Sequence, residues 1–128
     1  MPLYVDSSAL VKLLVSERES NALKAYFVAT SLVTSVITPI EVGRLLRRRG
    51  FEDEVAQREF FDGVEIRELD DGVAERAASL QPIALRTLDA IHLASAIDLR
   101  AELDGFVTYD AQLAEAARAL RLPVVSPA

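Results

Sequence analysis

The 128 residues fit one compact domain, since soluble domains run to ~100–200 residues. Hydrophobic residues make up 51% and charged residues 27%, the balance of a globular chain with a real core, which excludes disorder, collagen-like repeats and low-complexity filaments. Lys and Arg number 14 against 20 Asp and Glu, a net charge of −6, so any contact with nucleic acid must come from a local basic patch and not from the field of the whole molecule.

The opening MPLYVDSSALVKLLV lacks a basic start and is interrupted by Asp6 and Lys12, so it does not read as a signal peptide. No window supplies the ~18 uncharged apolar residues of a membrane span, and the expectation is a soluble cytoplasmic protein. Leu3, Tyr4 and Val5 form a short strand that stops at Asp6-Ser7-Ser8, after which Ala9, Leu10, Leu13 and Leu14 recur at helical spacing. Asn21 to Ala29 reads as a second helix and Leu32 to Ile37, rich in β-branched residues, as a second strand. Thr38-Pro39-Ile40-Glu41 is a helix start, with Thr at the cap, Pro in the first turn and Glu three residues after the cap. That helix runs through the arginines to Gly50. Phe51 to Phe61 reads as helix. Val64 to Leu69 alternates like an edge strand, and Asp70 or Asp71 caps a helix that Pro82 breaks. Thr87 opens the clearest helix, with Ala90, Leu93, Ala94, Ile97 and Ala101 on one stripe. Asp104-Gly105 reads as a turn, Phe106 to Thr108 as a strand, AQLAEAARAL as a helix and Pro123 to Val125 as the last strand. Short apolar strands separated by helices predict an α/β fold over residues 1–128, a mostly parallel five-stranded sheet with helices on both faces.

In such a sheet ligands bind beyond the carboxyl ends of the strands, where the following helices point their positive ends. Asp6 follows the first strand, Glu41 opens the helix after the second, Asp89 opens the longest helix and Asp110 follows the fourth strand. Each also has a purely structural explanation: Asp6 and Asp110 as helix caps, Glu41 as the capping-box partner of Thr38, Asp89 as a first-turn acid that complements the dipole. Caps alone, however, have no reason to gather at the strand ends nearest the sheet centre. Like charges ~4 Å apart repel by about 4 kcal/mol at an effective dielectric near 20, so a cluster of four acids needs a cation. With no cysteine and a single histidine, an all-oxygen site selects a hard ion, Mg²⁺ or Mn²⁺. Such an ion can activate water and neutralise charge on a phosphodiester.

The segments YVDSSALVKL, ITPIEVGRLLRR, RTLDAIHLASA and FVTYDAQLAEAA, in this order and spacing, resemble a PIN domain, and specifically the VapC ribonuclease toxins of bacterial toxin–antitoxin pairs. The resemblance spans essentially the whole chain. It implies a PIN-like fold and a metal-dependent endoribonuclease in which Asp6, Glu41, Asp89 and Asp110 hold Mg²⁺ or Mn²⁺ and cut RNA to 5′-phosphate and 3′-hydroxyl ends. Ser7 and Thr108 match small hydroxyl positions that orient carboxylates or water at the metal. A homodimer and a cognate VapB-like antitoxin that blocks the site are implied as well.

Arg44, Arg47, Arg48 and Arg49 form the one basic run. They fit RNA backbone contact and equally a solvated helix end. Arg86 stands where it can neutralise a phosphate near Asp89 or make a surface ion pair. His92, three residues after Asp89, lies on roughly the same helix side; alone in an apolar helix, it is expected to be packed rather than to carry protons. Phe51, Phe60 and Phe61 read as core or as a protein contact surface. Two other nuclease-free or partner-free readings stand beside the toxin: a stand-alone RNA-processing enzyme, and a non-catalytic α/β binding domain whose acids are caps. A receiver-type phosphoacceptor needs a lysine near the last strands, and the two lysines, Lys12 and Lys24, lie in the first helices.

Overall fold

β1 (Leu3–Val5) is the middle strand of a five-stranded sheet. β2 (Leu32–Ser35) and β3 (Glu65–Arg67) lie on one side of it, β4 (Gly105–Val107) and β5 (Val124–Val125) on the other. The computed structural model describes all residues 1–128. Every pairing is parallel, so all carboxyl ends share one edge. The chain leaves β1 toward β2 and later returns to its other flank as β4, which puts the topological switch point, where open α/β sheets bind ligands, beside β1. β3 is an edge strand, as its alternating VEIREL pattern predicts.

The period of two along each strand divides the core. Leu3 and Val5 point to the face covered by α1 (Ser7–Leu14), α2 (Ser20–Tyr26) and α3 (Thr38–Arg48), where Ala9, Leu10, Leu23, Val42 and Leu46 are buried. Tyr4 points the other way, into the cluster made by α6 (Thr87–Asp98) and α7 (Ala111–Ala119) with Leu93, Ala96, Phe106 and Leu113. In the β1–β4 register Tyr4 lies opposite Phe106, and their rings stack at 5.4 Å between centroids. α4 (Glu54–Asp62) and α5 (Asp71–Ser79) complete the helices. No helix is long and apolar enough to cross a membrane.

Several boundaries differ from the sequence expectation, each for a local reason. The second helix stops at Tyr26 and not Ala29, whose backbone takes a left-handed conformation at φ 59°. β2 ends at Ser35 because the Ser35 hydroxyl accepts from the Ile37 N–H at 3.2 Å and turns the chain. Asp53 accepts from the Ala56 N–H at 3.0 Å, which sets the start of α4 at Glu54 and leaves Phe51 outside and half exposed. Phe60 and Phe61, by contrast, pack against the β1 core. Gly105 opens β4 and is not a turn residue: a Cβ there would lie 3.0 Å from Leu3 and 3.2 Å from Val125, so strands β1 and β5 press on it from both sides. α6 has no single stripe. Ala90, His92, Leu93, Ala94, Ser95 and Ala96 are all buried, because the helix lies between the sheet and α5.

Candidate active site

Asp6 stands between β1 and α1 and caps the helix. Its Oδ1 accepts from the Ala9 N–H at 3.0 Å, the cap that sequence reasoning offered as a structural explanation. The same carboxylate accepts from the Ser8 hydroxyl at 2.7 Å and, on Oδ2, from the Thr108 hydroxyl. Asp6 is only 2% exposed. Burial pushes its carboxyl above the ordinary range, against the lowering effects of His92 and of the three hydrogen bonds. Asp110 repeats the cap across the switch point: Oδ1 accepts from the Leu113 N–H at 2.9 Å while Oδ2 faces Arg86. In both residues the capping oxygen and the second oxygen do different jobs, so a cap does not remove the carboxylate from the site.

Glu41 departs from the capping-box expectation. α3 begins on Thr38 itself, preceded by Ile37 with no side-chain cap, and the Thr38 hydroxyl lies 2.7 Å from that of Thr34, which donates to the Val5 carbonyl. The Glu41 carboxylate turns instead to His92, with Oε1 2.7 Å from Nε2. His92 is fully buried, and its Nδ1 lies 2.8 Å from the Tyr4 hydroxyl. The histidine is therefore packed, as expected, and also polar-bonded at both ring nitrogens. Burial and the charge of Asp6 raise the Tyr4 phenol far above its ordinary range, so it stays protonated. Asp89, in the first turn of α6, is pushed up by desolvation first and by the negative charge of Asp110 second.

These four acids come from four separate stretches of chain, and all line one cleft of about 460 Å³ together with Ser7, Ser8, Arg86, Thr87 and Leu88. No three acidic or imidazole groups already stand in joint ligating geometry. The donor set nevertheless suits a hard divalent ion, being all oxygen, and Glu41 Oε2 and the Asp89 carboxylate accept no protein hydrogen bond. The cleft has room for a cation that keeps several waters. Arg86 supplies the nearest counter-charge, 3.8 Å from Asp89 and 3.9 Å from Asp110, but its side chain is 77% exposed and such contacts are weak. Lys12 is not in the cleft; its ammonium lies 2.8 Å from Glu19 and 4.7 Å from the centre of the Tyr109 ring, which leaves no lysine for a receiver-type phosphoacceptor.

The hydroxyls and arginines divide in ways that residue type alone does not predict. Ser7 lines the cleft, but the hydroxyl that reaches Asp6 from this turn belongs to Ser8, which also accepts from the Tyr109 N–H at 2.9 Å. Thr108 holds Asp6 and accepts from the Asp110 N–H at 3.1 Å, so one hydroxyl links two of the acids. Arg44 and Arg48 line an apolar groove that runs on from the acid cleft past Ser7, Ser8, Glu41 and Leu88. Arg47 pairs with Glu54 at 2.8 Å and Arg49 lies 3.8 Å from Glu17, so they are engaged elsewhere. Spacing could have revealed this split, since positions 41, 44 and 48 share one helix face. Ser8, Tyr4 and the role of His92 carried no local signal.

Comparison with known proteins agrees with this architecture. The PIN domain family model matches residues 3–119. Ribonuclease VapC46 of Mycobacterium tuberculosis is 40% identical over 126 residues, covering 98% of this chain and 97% of that protein. Ribonuclease VapC47 of the same species is 37% identical over 131 residues, with 98% and 96% covered. A toxin–antitoxin complex from Klebsiella pneumoniae contains a chain that superposes with a TM-score of 0.74 at 25% identity, over 100% of this chain and 98% of that one. A parallel sheet with its acids at the switch point, a family model over nearly the full length and relatives at this identity lead to one assignment: the chain belongs to the PIN-domain family, among the VapC ribonucleases.

Proposed function

We propose that this chain is the endoribonuclease toxin of a type II toxin–antitoxin pair, with residues 1–128 acting as one PIN-type nuclease domain that requires Mg²⁺ or Mn²⁺. The observation that carries this reading is the convergence of Asp6, Glu41, Asp89 and Asp110 on one cleft at the switch point of the sheet. These four carboxylates would hold the ion. A bound divalent ion supplies charge neutralisation on the phosphodiester and eases deprotonation of water.

The protein's own groups do the rest. Asp6 is fixed by Thr108, Ser8 and the Ala9 amide, so its carboxylate would hold a divalent ion without a search over rotamers. Arg86 stands beside Asp89 and Asp110, where an exposed guanidinium can meet a phosphate oxygen. Arg44 and Arg48 extend a cationic margin along the adjoining groove and hold the flanking RNA backbone, which a chain of net charge −6 must attract locally. A carboxylate of the cleft accepts the proton of the attacking water as its oxygen bonds to phosphorus, the P–O3′ bond breaks, and the departing O3′ takes a proton from solvent, which leaves 5′-phosphate and 3′-hydroxyl ends. The toxin works as a homodimer, and a VapB-like antitoxin restrains it by covering the cleft.

The test is to incubate purified protein, freed of antitoxin, with total bacterial RNA and to sequence the new ends. Discrete cuts with 5′-phosphates, abolished by EDTA and restored by Mn²⁺, are expected. Cuts that persist undiminished under chelation would overturn the metal mechanism, and intact RNA in the presence of Mn²⁺ would overturn the nuclease assignment.

A further inference from the structure

The polar chain behind Glu41 connects three of the four elements that carry the acids. Asp6 directly follows β1, which supplies Tyr4 two residues earlier; α6 supplies Asp89 and, one turn later, His92; α3 supplies Glu41. The Tyr4 hydroxyl lies 2.8 Å from His92 Nδ1, and His92 Nε2 lies 2.7 Å from Glu41 Oε1. A carboxylate only accepts, so Nε2 carries a hydrogen toward Glu41, and the second ring nitrogen, Nδ1, faces the Tyr4 hydroxyl. The Tyr4 ring is itself locked between Phe106, stacked at 5.4 Å, and the edge of His92 at 5.9 Å.

The consequence for Glu41 is mechanical. Its side chain has three rotatable bonds and stands at the mouth of the cleft, 19% exposed, where an untethered glutamate would sample many rotamers. Fixing Oε1 on a fully buried donor leaves Oε2 as the oxygen presented to the cleft. We propose that Tyr4 and His92 are positioning residues, a buried hydrogen-bonded relay that orients Glu41 for the divalent ion and ties its placement to the elements bearing Asp6 and Asp89. This rests on the metal-dependent reading above. Hydrogen-bonded supports behind ligating side chains typically affect metal affinity or activity by ~10–100-fold.

The experiment measures Mn²⁺ affinity by calorimetry on antitoxin-free protein whose folding is verified by melting, for wild type, Tyr4→Phe, His92→Leu, His92→Gln and Asp6→Asn. Tyr4→Phe keeps the ring stack and removes one hydroxyl; it should weaken Mn²⁺ binding by about 10-fold. His92→Leu should weaken it by ~10–100-fold, and His92→Gln, whose amide can still donate to Glu41, should recover much of the loss. At saturating Mn²⁺ the affected variants should show a lowered kcat with an unchanged KM for RNA. If Asp6→Asn abolishes binding while Tyr4→Phe and both His92 variants bind Mn²⁺ like wild type, the relay is only a satisfied core network and the proposal falls alone. If wild type binds no Mn²⁺, or Asp6→Asn binds it unchanged, the metal reading falls and takes the relay with it. Should His92→Leu fail to fold, Tyr4→Phe decides.

Discussion

Asp6 and Asp70 cap their helices with the same geometry, one carboxylate oxygen accepting from the backbone N–H three residues on, at 3.0 Å from Ala9 and 2.9 Å from Val73. Their surroundings differ. Asp70 sits on the surface next to Arg67, 3.0 Å away, and Arg67 also pairs with Asp98. The Val73 N–H and then Arg67 hold the Asp70 carboxyl below its ordinary range. Asp6 is buried, and its hydrogen bonds come from hydroxyls and one amide, none from a cation. Its carboxyl is pushed up by desolvation. A capping bond therefore does not distinguish a structural acid from a candidate ligand. The distinction lies in how the remaining negative charge is compensated: by the hydrogen-bonded guanidinium of Arg67 at Asp70, and at Asp6 by no hydrogen-bonded cation, the lowering effect of His92 being outweighed by burial.

Replacing each carboxylate by its amide is the sharpest way to break this comparison, because Asn caps about as well as Asp. Asp6→Asn and Asp110→Asn should lower RNA cleavage by at least ~100-fold, since a neutral amide is a poor ligand for a hard dication and transition-state charge goes uncompensated. The Mn²⁺-induced rise in melting temperature should vanish with them. Asp70→Asn should keep both. Metal-free Asp6→Asn should melt close to wild type or slightly above it, the cap being kept and a buried charge removed. Parallel cleavage and melting assays on the three variants check this, and near-wild-type cleavage by Asp6→Asn would make that acid a cap after all.

The contrast between paired and unpaired charge also divides the arginines, with a smaller effect. Arg44 and Arg48 line the groove beside the cleft, whereas Arg47 is held by Glu54. Arg44→Gln with Arg48→Gln should flatten the dependence of log affinity on log salt by about 1.4 for single-stranded RNA, roughly 0.7 per lost phosphate contact. Arg47→Gln should leave the slope alone. Binding titrations across a salt series read this out; a change confined to Arg47→Gln would move the RNA path off the groove.

The smallest effect concerns pH. The folded pKa of Asp70 is depressed, so its stabilising contribution is fully present above the unfolded value of ~3.9 and is lost as pH falls through the folded value. Wild type should therefore melt above Asp70→Asn near neutral pH, and the gap should close below about pH 4. Thermal melts of both proteins at pH 6 and pH 3 test it, and a gap that stays constant would assign the effect to something other than this carboxylate.

Much of this molecule is legible along the chain, because its signals are local. Short apolar runs mark β1 and β4, Asp70 and Asp110 announce the helices they cap, and the four acids of the cleft betray themselves by standing just after strands or in first helical turns. Arg44, Arg47, Arg48 and Arg49 read as one basic run, and the structure separates Arg44 and Arg48, which line the groove, from Arg47, which pairs with Glu54. The tertiary structure alone decides the rest. Thr38 looks like a capping residue until Thr34 engages its hydroxyl, and Glu41 looks like its partner until His92, 51 residues away, offers a buried donor. Tyr4 reads only as an apolar strand residue, yet the alternation that buries it opposite Phe106 brings its hydroxyl to His92 across 88 residues. Ser8 and not Ser7 supports Asp6, its hydroxyl also accepting from the Tyr109 N–H 101 residues away. Local propensity sets where elements begin and end; buried polar groups choose partners only after packing has removed water as the alternative, and that choice is made across the sheet rather than along the chain.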